Sequence, residues 1–206
     1  MSSQFDDLSS DEILALGILH SFNGDDLRAV QHLEPLADAG NQEVQTRLGW
    51  ELISGNRTQE ERTVGLAYLK SAASSGSLWA RYFLASDKIA IREGKKVSED
   101  QFEEGLSEFR ELSELCKFAT ERNDPRAEFI LAECYQYGYG VSRDVSEARR
   151  YYSRAWIHGD QTGLSAMHLT LLYSLEANRS PEMKELHQLW RERARWEGID
   201  RIAADW

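Results

Sequence analysis

The chain has 206 residues, 29% of them charged and 41% hydrophobic, a balance that suits a globular protein rather than a disordered one and permits one elongated or two small domains. A net charge of −11 disfavours nucleic acid and anionic membrane as partners, because a phosphate surface would be repelled. No run approaches the roughly 18 apolar residues of a membrane span.

The amino terminus, MSSQFDDLSSDE, has neither a basic n-region nor an apolar h-region, so no secretory signal is read and a cytoplasmic protein is expected. Residues 1–8 are expected to fray. Ser9 with Glu12 three positions on makes a capping box, and Ile13, Leu16, Gly17 and Leu19 or His20 give a first helix. Gly24 breaks it. Asp25 or Asp26 caps a second helix carrying Ala29, Leu33, Leu36 and Ala37, and Gly40 closes it. Pro35 inside that helix is expected to kink it, since its ring removes a hydrogen bond and crowds the preceding turn.

Residues 41–76 make a second helix pair. Val44, Leu48-Gly49, Leu52 and Gly55 lie on its first helix, and Gly65, Tyr68, Leu69, Ala72 and Ala73 on its second. The turn between them is read at Gly55-Asn56-Arg57-Thr58. In residues 77–123, Ala80, Leu84 and Ala85 start a third pair. The polar sequence IAIREGKKVSED follows, and the unit is 11 residues longer than its neighbours. The spacing predicts a long second helix over 98–122, capped by Ser98 with Gln101 and burying Phe102, Leu106, Phe109, Leu112, Leu115 and Ala119. Such an insertion is either a tolerated loop extension or an extra binding surface.

The clearest pattern lies in residues 124–159. Ala127, Leu131, Ala132 and Tyr135 share one helical face, as do Ala148, Tyr151, Tyr152 and Ala155. Gly138-Tyr139-Gly140-Val141 reverses the chain between them. The last unit, 160–198, carries Leu164 or Ser165, Leu169 and Tyr173, then Trp190 and Ala194. Ser180 caps its second helix, with Pro181 at the first helical position. Residues 199–206 are a short tail ending in Trp206.

Helix-closing residues recur at Gly40, Gly76, Asn123, Gly159 and Gly198, with spacings of 36, 47, 36 and 39. Asn tolerates the left-handed conformation, so Asn123 stands in for Gly. A period near 36 is that of a helix–turn–helix repeat. The stretch from Ala127 to Gly159 resembles one unit of the Sel-one-like repeat family, a relative of the tetratricopeptide repeats. The carrying positions are Ala127, Leu131-Ala132, Tyr135, Gly138-x-Gly140-Val141, Asp144, Ala148, Tyr151-Tyr152, Ala155 and Gly159. Ala132 replaces the family's Gly. The resemblance implies an all-α, right-handed α-α solenoid of about five antiparallel helix pairs, a single domain over 1–206 with units 9–40, 41–76, 77–123, 124–159 and 160–198. It also implies scaffolding rather than catalysis.

The residues agree that catalysis is not indicated. The five histidines make no short metal-ligand spacing, and no nucleophile elbow, Walker loop or dinucleotide glycine fingerprint occurs. No cofactor is expected. Gly138-x-Gly140 lacks the strand and third glycine of a phosphate loop. Glu103, Glu104 and Glu108 read as a solvated helix face. Cys116 and Cys134 read as small buried hydrophobes, unlike the cysteine-rich secreted branch of the resembled family. What is left is surface. First-helix residues off the packing face are Arg47, Trp50, Trp79, Tyr82, Glu133 and Tyr137, of types that often carry binding energy. Trp50 and Trp79 either meet a partner or fill gaps between units.

Charge is uneven along the chain: −9 over residues 1–61, +5 over 62–97 and −6 over 98–121. The acidic blocks favour either solubility alone or a basic protein partner. The expected activity is therefore protein binding as an adaptor or regulator, or as an antidote that covers a basic effector.

Overall fold

In a computed structural model, residues 8–22, 26–54, 57–89, 97–160 and 163–196 are described. The expectations for residues 1–7, Gly24, the Gly55-Asn56 turn, residues 91–96, Gly198 and the tail 199–206 lie outside them. The described residues form ten α-helices and no strand, as the repeat pattern requires of an all-α fold of the α-α solenoid class. The chain divides into two compact units, residues 1–88 and 89–206.

The first unit holds α1 (Ser10–Phe22), α2 (Asp26–Asp38), α3 (Gln42–Ile53), α4 (Gln59–Ser74) and α5 (Leu78–Ile89), whose last residue marks the boundary. The local signals work as expected. Ser9 and Glu12 bond reciprocally at the head of α1, and Thr58 with Glu61 does the same for α4. Helix α2 runs unbroken through Pro35, which lies on the exposed side. Gly40 and Gly76 take the left-handed conformation, with φ of 88° and 97°, and each lets the next amide reach back five residues to close the helix.

Packing follows from two glycines. A Cβ on Gly65 would lie 2.8 Å from the Gly49 carbonyl oxygen and 2.8 Å from the Leu52 Cβ. Only two bare backbones fit there, so α3 and α4 touch main chain to main chain. Leu33, Ala37, Val44, Leu48 and Leu52 form one core beside this contact, and Ile53, Leu69, Ala72, Ala73 and Ala80 another. Each fully buried Leu contributes about 2 kcal/mol. Polar ties add register: Gln42 Nε2 donates to the Ser75 carbonyl (2.8 Å), and the Tyr68 hydroxyl to Asp38 (2.6 Å). Arg62 donates to the Ile53 carbonyl (2.7 Å) and to Asp87 on α5 (2.9 Å).

The second unit holds α6 (Glu99–Thr120), α7 (Pro125–Tyr137), α8 (Val145–Ile157), α9 (Leu164–Ser174) and α10 (Pro181–Trp196). Ser98 and Gln101 form the expected capping box on α6. Asn123 is the one non-glycine residue with positive φ among those described, at 56°, so the asparagine does take the glycine role. The positions 83 residues after Gly49 and Gly65 are Ala132 and Ala148, both fully buried. The two members of the close-packed pair have changed size together.

The Gly138–Val141 turn is pressed onto α6. A Cβ on Gly140 would lie 2.3 Å from the Arg110 nitrogen and 2.5 Å from the Phe109 carbonyl carbon. Tyr139 stacks on buried Phe109 with ring centroids 4.9 Å apart. A buried carboxylate ties three helices: Glu128 of α7 lies 2.7 Å from Arg154 and 2.7 Å from His158, both on or just past α8. Arg154 also donates to the Thr120 carbonyl at the end of α6, at 2.8 Å. The free thiols Cys116 and Cys134 are both buried. Burial pushes the Cys116 thiol up to about 12 and raises Cys134 as well, as expected of inert core cysteines.

One helix face departs from the expectation. Phe102 and Leu115 were assigned to the buried side of α6, but they are 40% and 44% exposed. Phe109 and Leu112 are buried as expected, and Gly105, Ser113, Cys116 and Thr120 complete the buried set. Counting large apolar residues placed the face; the small ones that let α7 and its turn approach set it.

Candidate protein-binding surface

Three of the six expected contact residues come together in the first unit. Trp50 lies on α3, and Trp79 and Tyr82 lie on α5. Phe83 joins them. The Trp50 and Phe83 rings stack with centroids 4.5 Å apart and planes 18° apart. Trp79 stacks on Phe83 at 5.6 Å and 19°. Tyr82 meets both Trp79 and Phe83 edge-on, at 5.5 and 5.6 Å.

The result is a ladder of three near-parallel rings from α3 to α5, braced by a fourth. Such offset and edge contacts add about 0.5–1.5 kcal/mol per pair beyond area burial. Trp50, the outermost rung, is 42% exposed; Trp79, Tyr82 and Phe83 are half-buried. Arg47 is half-buried one helical turn before Trp50. Phe83 was not among the expected contact residues. Its signal was its spacing of four from Trp79, which puts the two on one helix face.

The other two expected residues lie in the second unit and have different fates. Tyr137 is exposed and stacks on Tyr139 at 5.4 Å. Glu133 points inward: it is 6% exposed, accepts from the Tyr152 hydroxyl at 3.2 Å and lies 3.3 Å from His168 Nε2. Tyr152 also donates to Gln136 at 2.7 Å. Burial lowers the His168 pKa below its usual 6.5, with the nearby Glu133 opposing that shift. Glu133 thus serves a buried polar network across α7, α8 and α9, not an open wall. Gln136, Tyr152 and His168 complete that network. From sequence, Tyr152 read only as a core aromatic, because a residue's polar tip finds its partner through tertiary contact.

Among the described residues no helix is long and apolar enough to cross a membrane, and no group of His, Cys, Asp or Glu is placed to hold a metal ion.

Comparison with known proteins identifies two repeats. The Sel1 repeat family matches residues 43–77 and 125–160, the α3–α4 and α7–α8 pairs. A crystal structure of a Sel1 repeat protein from Oxalobacter formigenes superposes with a TM-score of 0.52 at 23% identity, covering 92% of this chain and 70% of that one. That likeness concerns the fold. Chitin synthase regulatory factor 2 of Schizosaccharomyces pombe is 30% identical over 150 residues, which is 67% of this chain and 28% of that protein. The chain therefore spans well under half the length of this curated relative. Sel1 repeats are generally non-catalytic and mediate protein–protein interaction. The α3–α4 and α7–α8 pairs, with left-handed helix ends at Gly76 and Gly159, are thus two Sel1 repeats carried by this chain.

Proposed function

We propose that the chain is a non-enzymatic adaptor or regulator that captures a peptide or protein surface against the first helices of its pairs. The observation that carries this reading is the Trp50–Phe83–Trp79 ladder. Rigid, half-open indole rings supply contact area at little cost in side-chain entropy, and Trp, Tyr and Arg dominate interface energetics. In stacked helix-pair arrays the first helices line the inner wall, and α3 and α5 are both first helices. Arg47 and Tyr82 flank the ladder, and Tyr137 offers a further ring on α7. Glu133 would act by positioning Tyr152 and His168 behind that helix. The proposal treats the five helix pairs over 1–206 as one functional domain. Similarity to a protein named as a regulatory factor supports a regulatory use, and two free buried thiols suit the reducing cytoplasm.

The test is affinity capture from cell extract with the full chain, Trp50→Ala and Trp79→Ala, followed by mass spectrometry. Partners are expected to fall about tenfold or more in both variants, the usual cost of truncating an interface tryptophan. Far-UV circular dichroism would establish that each variant is folded. Full retention of every partner by both folded variants would refute the ladder as the contact surface.

The net charge of −11 favours a second reading, a stoichiometric antidote or inhibitor that covers a basic effector. It predicts one tight, basic partner in the same capture, where the adaptor predicts several or transient ones.

A further inference from the structure

Two arginines in matching places have different partners. In the α7–α8 pair, Arg154 precedes buried Ala155, and its guanidinium lies 2.7 Å from Glu128, three residues before buried Leu131. In the α9–α10 pair, Arg193 precedes buried Ala194 in the same register, but the residue three before buried Leu169 is Ala166. The arginine is kept and its acid is not. Among the described residues no carboxylate takes that acid's place. Those three or four positions from Arg193 are Leu189, Trp190 and Trp196. The adjacent Glu192 does not face it, since neighbours along a helix point apart.

Arg193 lies instead against two indoles. Its guanidinium carbon is 5.1 Å from the Trp156 ring centroid and 6.0 Å from that of Trp196. Trp156 meets buried Trp190 edge-on, at 5.4 Å and 88°. Ring contact engages the face of a guanidinium, while its N–H donors radiate from the rim. Among the described residues, no acceptor meets those donors. Leu189 and Trp196 stand four before and three after Arg193, so the three share one stripe of α10. Leu189 is 44% exposed and Trp196 81% exposed. The stripe therefore offers two open apolar surfaces with a cation between them, held in place by the rings.

We propose that Leu189, Arg193 and Trp196, backed by Trp156, dock an acidic segment of a partner protein. A Glu or Asp side chain of that segment pairs with the Arg193 fork, and an apolar residue beside it covers Trp196 and Leu189. The net charge of −11 repels such a segment at a distance, so recognition rests on contact rather than on steering. The site lies wholly in the second unit and the Trp50–Phe83–Trp79 ladder in the first, so either reading can fail without the other.

The test uses the full chain and short peptides with both ends blocked, centred on Glu-Leu, Gln-Leu or Glu-Ser in a Gly-Ser background. Binding is read by titration from the indole N–H resonances of Trp156 and Trp196, assigned with Trp156→Phe and Trp196→Phe. The Glu-Leu peptide is expected to shift both resonances and to bind about tenfold or more tightly than either control. Arg193→Gln should remove binding. Arg193→Lys should weaken it about tenfold, because an ammonium keeps the charge but not the fork. Circular dichroism would establish that both variants are folded. Trp196→Ala, at an exposed position, should weaken the Glu-Leu peptide and leave Glu-Ser unchanged. Failure of the Glu-Leu peptide to shift either resonance overturns the proposal. So does equal binding of Gln-Leu, or full binding by folded Arg193→Gln. Binding confined to a peptide with a free carboxyl terminus overturns it too, since the ligand would then be a chain end rather than an acidic side chain.

Discussion

The Gly140 contact permits a quantitative test of how the second unit is assembled. Gly138 and Gly140 both have positive φ, 79° and 69°, so alanine at either pays about 1–2 kcal/mol for the left-handed conformation. Their surroundings differ. A Cβ on Gly138 would meet nothing closer than the Arg143 Cβ at 3.4 Å, an ordinary contact, whereas on Gly140 it would stand 2.3 Å from the Arg110 nitrogen. The obstacle is helix backbone and cannot rotate aside. To accept the methyl group, the turn must retreat from α6 by about 1 Å, loosening the Tyr139–Phe109 stack; overpacking of this kind costs about 1–3 kcal/mol. Gly140→Ala should therefore destabilise by about 2–5 kcal/mol and Gly138→Ala by about 1–2 kcal/mol. Any entropic gain from removing a glycine in the unfolded chain is shared by both and cancels in the comparison. Urea unfolding followed by circular dichroism gives the difference, and hydrogen exchange shows whether α6 amides lose protection first. If both variants unfold within about 0.5 kcal/mol of each other, the turn does not rest on α6 and the packing account fails.

Arg154→Ala leaves Glu128 fully buried without its guanidinium partner, and should cost about 3 kcal/mol by urea unfolding; a loss under 1 kcal/mol would mean that water replaces the guanidinium. Because burial lowers the His168 pKa, the unfolded chain takes up a proton near pH 6.5 that the folded chain refuses. Stability from this group is complete above that pH and declines as pH falls from 6.5 toward the folded value. Melting temperatures at pH 7.5 and 5.5 should show a smaller acid loss in His168→Gln than in the natural chain. Equal slopes would remove His168 as a contributor.

Local signals were legible because they act within a few residues. Capping needs only a side-chain oxygen and an amide three positions on, so Ser9, Ser98 and Ser180 are visible at once. A left-handed helix end needs only a residue that tolerates positive φ, so Asn123 was as readable as Gly76. The face of α6 was misread at Phe102 and Leu115 because hydrophobicity does not say which side a neighbour occupies. Gly105 and Ser113, which make room for that neighbour, carry no hydrophobic signal.

The candidate surface divides in the same way. Residue type and helix position marked Trp50, Trp79 and Tyr82. Phe83 became the shared rung only when α3 was laid beside α5. Glu133 and Tyr137 sit four apart on one helix, yet the first turns into a polar core and the second toward solvent. Periodicity along the chain dictates helices, their ends and their pairing, since those interactions close over short loops. Which polar atom is sealed and which ring stays open depends on partners from other helices, whose distances no single segment encodes.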